Sequence, residues 1–439
     1  MCGIAGYAGK NINPASLKEA LKTISHRGPD DFGLEIFSDI GLGHQRLSIL
    51  DLSSAGHQPM FSQDKDIVLV FNGEIYNFQD IKKQLLGKYK FSSQTDSEVI
   101  IYAYKEWGTD CLQHFNGMFS FVLYDRAKNL LFGARDRLGE KPLKYYWNGE
   151  KFFFASEVKA IISFLKSVGV HVDPDPYAID DFLTFGYVPA PKTGFKNIYK
   201  LPPAHFFTLC HGELNIKRYW SIDFTQKLPI SYKEWQEEIL NKLEESIKLR
   251  LMSDVPLGAF LSGGIDSSVV VAYAARNFPS KLKTFSMGFD DPEFDETKYA
   301  QTVANKYNTD HHVFRVSSSD LIENIDLISS FYDEPFADDS NLPTFLLSQK
   351  TKEHVTVVLN GDGGDENFGG YERYAVVEFG EFYSKIPSLL RNVPIKKLVN
   401  MYASLKKDKF SSRLNVFVRG FDAPFYRRYA DYNMIFSRQ

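Results

Sequence analysis

The chain has 439 residues, 44% of them hydrophobic and 24% charged, with a formal net charge of −4. This composition fits a core-forming globular chain of two or three domains, and its balanced charge argues against nucleic acid as the default partner. Three widely spaced cysteines (Cys2, Cys111 and Cys210) make neither a disulfide framework nor a zinc site and fit a reducing, cytoplasmic compartment. No signal peptide opens the chain, and no apolar run reaches the ~18 residues of a membrane span.

The chain begins MCGIAG, with a thiol at position 2 that would become the first residue if Met1 were removed. The first 200 residues then alternate short apolar segments with Gly, Asn and Asp turns. Segments 41–51, 66–77, 118–125, 129–136 and 151–156 read as strands, several joined as hairpins. Apolar residues recurring every three or four positions predict helices over 13–25, 78–87 and 97–108. This half reads as α+β with antiparallel sheets. A proline-rich stretch, 186–207, breaks the rhythm, and 218–229 reads as a linker.

Beyond it the pattern changes. A helix over 232–252 is followed by an apolar strand, 255–262, a glycine turn and a helix over 267–277. Strands at 282–289, 311–316 and 355–360 alternate with helices at 296–307 and 318–332. Such alternation predicts a parallel α/β sheet.

Two glycine clusters in this half carry chemistry. FLSGGIDSS (260–268) lies where a buried strand gives way to a helix. Backbone N–H groups there, with the helix N-terminus, form an anion site. Gly263 and Gly264 admit a phosphate close to the backbone, and Ser262, Ser267 and Ser268 supply hydroxyls. Asp266 would repel a phosphate unless a magnesium ion lay between them. The plainer alternative is a tight turn with a helix cap. The second cluster, LNGDGGDENFGGY (359–371), also follows an apolar strand and carries Asp362, Asp365 and Glu366. Carboxylates at strand ends of an open α/β sheet lie where ligands bind. Together the two loops point to a nucleotide–magnesium site.

SGGIDSS resembles the pyrophosphate loop of ATP pyrophosphatase-type enzymes. MCGIAG, SHRGPD (25–30), GHQRLSILD (43–51), FNGEIYN (71–77) and TDSEV (95–99) resemble the class II glutamine amidotransferase domain, an N-terminal nucleophile hydrolase fold. In this order the two resemble the glutamine-hydrolysing asparagine synthetases of the B type. The resemblance implies a glutaminase domain over 2–205, a linker over 206–230 and a synthetase domain over 231–439, incomplete at its C-terminus. It implies Cys2 as nucleophile and Asn72 with Gly73 as the oxyanion hole. Arg46, Leu47, Ile49, Asn72, Gly73, Glu74 and Asp96 would hold glutamine, Arg46 on its carboxylate and Glu74 with Asp96 on its amino group. Leu261, Ser262, Gly263, Gly264, Asp266, Ser267, Ser268, Met287, Asn360 and Gly361 would hold ATP, and Asp266 with Asp365 would hold Mg2+. Asp362 would stand at the reacting centre, where other members carry a glutamate. Ammonia from glutamine would pass internally between the domains to an acyl-adenylate, converting aspartate to asparagine with release of AMP and pyrophosphate. A homodimer is also in keeping with the family.

The chemistry is consistent with the residues. A free thiol has a pKa near 8.5, and a terminal amine one of roughly 7.7–8.0. On one residue, the amine can take the thiol proton without a histidine. A Cys–His pair with His26, His44 or His57 as base is the rival arrangement. Arg46 offers a planar fork for a carboxylate.

Two departures from the family pattern matter. No basic helical region of the kind that helps complete the synthetase site follows YERYA; IKKLVN and SLKKDKFSSR are basic but do not match it. The segment DEPFADDSNLPTF (333–345), where the acceptor should bind, has no Lys or Arg to pair an aspartate carboxylate. The alternatives are therefore amidation of a sugar-acid carboxylate in cell-surface polysaccharide synthesis, or a truncated, non-catalytic binding protein. In the plainest case Asp338 and Asp339 cap a helix or face solvent.

Overall fold

The computed structural model describes residues 1–385, 401, 402, 427 and 429. The basic stretches IKKLVN and SLKKDKFSSR lie outside the described residues. The first half contains β1 (Gly3–Ala8), α1 (Ala15–Thr23), β2 (Asp31–Ile36), β3 (Ile40–Arg46), β4 (Met60–Phe61), β5 (Ile67–Ile75), α2 (Phe78–Leu85) and α3 (Ser97–Trp107). It continues through α4 (Cys111–His114), β6 (Gly117–Asp125), β7 (Leu130–Arg135), β8 (Lys144–Trp147), β9 (Phe152–Ala155), α5 (Val158–Ser167), α6 (Pro176–Phe185), β10 (Ile198–Lys200), β11 (His205–Cys210) and β12 (Glu213–Arg218).

These strands form two antiparallel six-stranded sheets, ordered β10-β8-β9-β1-β3-β2 and β12-β11-β7-β6-β5-β4. The strands alternate side chains between faces, so both faces of each central strand must be covered. Ile4, Leu42, Val68, Val70, Val122, Phe152 and Phe207 interdigitate between the sheets. On the outer face of the first sheet, α1 and α5 bury Leu17, Leu21, Ile161 and Phe164. On that of the second, α2 and α3 bury Ile81, Leu85, Val99 and Ile101. The result is a four-layer αββα sandwich, the antiparallel α+β half expected from the sequence.

The linker expected over 206–230 needs correction. Its first part is β11 and β12, a hairpin paired to β7, with Phe207 and Leu209 buried in the inter-sheet core. The preceding prolines obscure the alternation HFFTLC. Residues 219–230 carry neither helix nor strand.

The second half comprises α7 (Tyr232–Arg250), β13 (Leu257–Phe260), α8 (Ile265–Asn277), β14 (Lys283–Phe289), α9 (Thr297–Tyr307), β15 (Asp310–Val316), α10 (Ser318–Glu323) and α11 (Ile325–Phe331). It then adds α12 (Asn341–Thr351), β16 (Val357–Leu359), α13 (Gly364–Phe368) and α14 (Glu372–Ser384). Among the described residues its four strands are parallel, in the order β15-β14-β13-β16. Ser231 starts α7 with a capping box to Glu234. Because β13 has β14 on one side and β16 on the other, the two glycine loops leave neighbouring strand ends. That is the topological switch point where open α/β sheets bind ligands. Among the described residues, no helix is long and apolar enough to cross a membrane.

Candidate active site

Cys2 immediately precedes β1. Its carbonyl accepts a hydrogen bond from Arg27 Nε at 2.9 Å, and Arg27 is itself held by Glu157 at 2.9 Å. Burial opposes ionisation of Glu157, but hydrogen bonds from His26 and Arg27 hold its pKa down at about 2. The Cys2 thiol lies 3.6 Å from the Leu47 carbonyl and 3.4 Å from the Leu47 N–H. Burial pushes the thiol pKa up. In this unprocessed form the α-amine belongs to Met1, and burial lowers its pKa to about 6.

The thiol opens on a cavity of about 230 Å³. Cys2, Arg46, Leu47, Ile49, Asn72, Gly73, Glu74 and Asp96, separated by up to 94 positions in the chain, all line it. Arg46, at the end of β3, is buried and donates to the carbonyls of Ser53, Leu50 and Asp51. Among the described residues no carboxylate pairs it; the carbonyls take both Nη2 bonds and one at Nη1, and its charge is left for an anionic ligand. Burial raises the pKa of Glu74, and raises that of Asp96 to about 7. A cationic group between these carboxylates would favour their charged forms.

Asn72 is 1% exposed, and among the described residues neither polar atom of its side chain has a hydrogen-bond partner. A buried orphan amide costs about 1–3 kcal/mol, which a ligand oxygen would relieve. Gly73 follows at φ +154°, and a Cβ there would strike the Met118 carbonyl. The strand edge also sets its N–H. β5 pairs with β6 along its whole length, but with β4 only at Leu69 and Val68. In an antiparallel ladder alternate residues turn their polar groups to opposite edges. Phe71 and Ile75 bond to side chains on the β4 side, and Phe119, opposite Gly73, donates instead to Asp136. The Gly73 N–H therefore faces the open edge, beside the orphan amide of Asn72. This arrangement can stabilise an oxyanion generated by thiolate attack on an amide.

The sequence did not single out Arg27, Glu157, Gln58 or Lys141. Arg27 sits in the quoted SHRGPD motif, but its bond to the Cys2 carbonyl has no local signature. Lys141 and Gln58 reach the cavity only through the fold. The rival bases do not serve the thiol: His26 bonds Glu157, His57 bonds Asp31 and His44 bonds the Phe71 carbonyl.

In the second half, Leu261 is buried at the end of β13 and donates to the Phe285 carbonyl at 2.8 Å. Ser262 and Ser267 hydroxyls bond each other at 2.9 Å, tightening the turn into α8. Gly264 caps α8, Asp266 lies in its first turn, and the Ser268 N–H bonds the Gly264 carbonyl. Met287 is on β14, and Gly263 completes the loop. Asn360 Nδ2 donates to Asp362 Oδ2 at 2.6 Å. The loops touch: Gly361 packs on the Ser267 backbone, and a Cβ at Gly364 would collide with the Asp266 carboxylate. Asp365 follows Gly364 in the first turn of α13, and its carboxylate lies against Gly370. Among the described residues no hydrogen bond or ion pair engages the Asp266 carboxylate, which lies at the meeting of the two loops; a carboxylate there together with ligand phosphates suits Mg2+.

The segment 333–345 is only partly open. Asp333 caps α5 through the Val158 N–H, and Glu334 accepts from the Gly194 N–H and pairs with Lys200. Asp338 caps the entry to α12 through the Ser340 N–H at 2.9 Å. Asp338 and Asp339 line a cavity of about 770 Å³ with Phe182, Tyr332 and Phe336.

The family model for the glutamine amidotransferase domain matches residues 1–220, and that for asparagine synthase matches residues 238–433. A putative glutamine-hydrolysing asparagine synthetase 2 of Methanocaldococcus jannaschii is 40% identical over 95% of this chain and 85% of its own length. Asparagine synthetase 1 of Bacillus subtilis is 33% identical over 90% of this chain but 62% of its own length. Among solved structures, the PRPP amidotransferase of B. subtilis aligns with TM-score 0.39 and 14% identity over 72% of this chain and 81% of that one. The chain belongs to the family of glutamine-hydrolysing asparagine synthetases. It spans less than two thirds of the length of several relatives it matches.

Proposed function

We propose that the protein is a glutamine-dependent amidotransferase that uses ATP to amidate a carboxylate, with aspartate as acceptor. Removal of Met1 gives Cys2 a free α-amine. That amine sits on the same residue as the thiol and, when neutral, can accept the thiol proton directly or through a water. The thiolate attacks the glutamine amide while Asn72 and the Gly73 N–H take the developing negative charge. Arg46 holds the α-carboxylate, and Glu74 with Asp96 holds the ammonium. Expulsion of ammonia leaves a thioester, which water hydrolyses to glutamate.

In the second half the SGGIDSS turn cradles the phosphates of ATP, with Leu261 and Met287 at the adenine and Asn360 and Gly361 beside them. Asp266 and Asp365 would hold Mg2+, which when bound offsets phosphate charge. The acceptor carboxylate attacks the α-phosphorus and pyrophosphate leaves. Ammonia then attacks the acyl-adenylate, Asp362 lying at this centre, and AMP departs. Thr356, Val357 and Val358 of the second half line the same cavity as Cys2, which supports internal passage of ammonia toward β16.

The observation that carries the reading is the single cavity joining Cys2, the orphan Asn72 amide, Arg46 and the Glu74–Asp96 pair. Intact-mass measurement should show loss of Met1, and the processed protein should release glutamate from glutamine and AMP from ATP in the presence of aspartate. Neither glutamine hydrolysis nor ATP–pyrophosphate exchange in a chain with free Cys2 would sink the proposal. A second reading keeps both half-reactions but takes a sugar acid. It is favoured by the absence of Lys and Arg among the described residues lining the Asp338–Asp339 cavity. Acceptor-dependent AMP release with aspartate and with sugar acids separates the two.

A further inference from the structure

His44 is a buried titratable group that the proposed chemistry leaves without a role. It lies on β3 opposite Ile4, is 1% exposed and reaches across the inter-sheet core to β5. Its Nε2 is 3.0 Å from the Phe71 carbonyl, and among the described residues its Nδ1 has no partner. Burial lowers its pKa to about 3, so the ring is neutral. A carbonyl oxygen only accepts, so the ring proton sits on Nε2 and is donated to Phe71. An imidazole with an orphan nitrogen is a poorer core filler than a leucine. The bond it makes is therefore the reason to look for a role.

Phe71 is the residue at which β5 loses its β4 partner. Its N–H donates to Gln58 Oε1 at 2.7 Å, and Gln58 Nε2 is anchored on Ser97 Oγ at 3.3 Å. Both polar groups of Phe71 on the open edge are thus occupied by side chains, where a neighbouring strand would otherwise stand. Two residues on, the Gly73 N–H on the same edge has no strand to meet. After it, the Ile75 N–H is held by Asp96 Oδ2 at 2.8 Å. The free donor is fixed on both sides.

We propose that His44, together with Gln58, is a positioning residue for amide hydrolysis: the pair clamps Phe71 on the open edge of β5 and so aims Asn72 and the Gly73 N–H at the developing oxyanion. This rests on the amidotransferase reading. His44 touches no substrate and acts through the Phe71–Asn72 peptide.

The test compares His44→Leu, which keeps bulk and removes the donor, with His44→Gln, which retains an N–H. In the processed full chain, His44→Leu should lower the glutaminase kcat about 10- to 100-fold with KM for glutamine within about twofold. His44→Gln should recover most of that loss. The γ-aldehyde analogue of glutamate, which forms a hemithioacetal whose oxygen occupies the oxyanion hole, should bind His44→Leu more weakly by about the same factor as kcat/KM falls. A merely structural role would lower thermal stability while leaving kcat and aldehyde affinity per folded molecule unchanged, and that result overturns the proposal. If His44→Leu does not fold, Gln58→Met removes the other arm, and an undiminished kcat there overturns it equally. A processed wild type with no glutaminase activity overturns the amidotransferase reading and this inference with it. An active wild type beside a fully active His44→Leu overturns this inference alone.

Discussion

At the scale of single residues, the cavity stores unsatisfied groups that a ligand would complete. Under the proposed function Asn72→Ala would remove one oxyanion donor, and we expect the glutaminase kcat to fall about 10²- to 10³-fold with KM little changed, read by steady-state glutamate release. Asp96 gives a prediction with two signs. Its pKa of about 7 lies above the ~3.9 of an unfolded chain, so between those values the native state holds a proton that the unfolded state lacks. Stability contributed at this site therefore falls as pH rises from about 4 to 7. Asp96→Asn should match the wild type below about pH 4 and melt higher above pH 7, a difference on the order of 2–4 kcal/mol. Under the proposed function the ammonium of glutamine needs the charged form, so wild-type KM for glutamine should rise as pH drops below about 7, and Asp96→Asn should lose saturation at any pH. Equal melting temperatures at pH 8 would refute the burial argument.

At the scale of elements, most strands and helices were legible because their patterns obey one period. The segment IVLVFNGEI alternates sheet faces, and EEILNKLEESI follows a helical stripe behind a Ser231 cap. β11 and β12 were not, because the prolines before them suggest a boundary and only pairing with β7 makes HFFTLC a strand. The start of α5 shows a dependence no local window reveals. Its cap, Asp333, comes from the second half of the chain and accepts from the Val158 and Lys159 N–H groups. Asp333→Ala should cost about 1–2 kcal/mol, the usual value of a helix cap. Differential scanning calorimetry should show this as a lowered melting temperature of the first half. An unchanged transition would mean that the cap contributes nothing.

At the scale of the whole molecule, the loop that follows Arg46 is tied to the second half of the chain. Asp254, just before β13, accepts from the Asp51 N–H at 2.8 Å, and the Asp254 N–H donates to the Ile49 carbonyl at 3.0 Å. Asp51 in turn receives Arg46 on its carbonyl. Asp254→Ala should raise KM for glutamine about fivefold, the worth of one hydrogen bond, and leave ATP–pyrophosphate exchange unaltered. An unchanged KM would show that Arg46 is held by its own loop alone. The sequence by itself determined the two-part architecture, the place of Cys2 and both glycine loops, because periodicity, a chain-start thiol and glycine spacing are written locally. Only the tertiary structure decided that Arg27 holds the Cys2 carbonyl, that Gly73 faces an open strand edge, that β11 and β12 belong to the first half, and that Asp333 and Asp254 join the halves. Those relations depend on which strand ends early and which loops meet across the fold, and residues far apart in sequence carry no local mark of meeting.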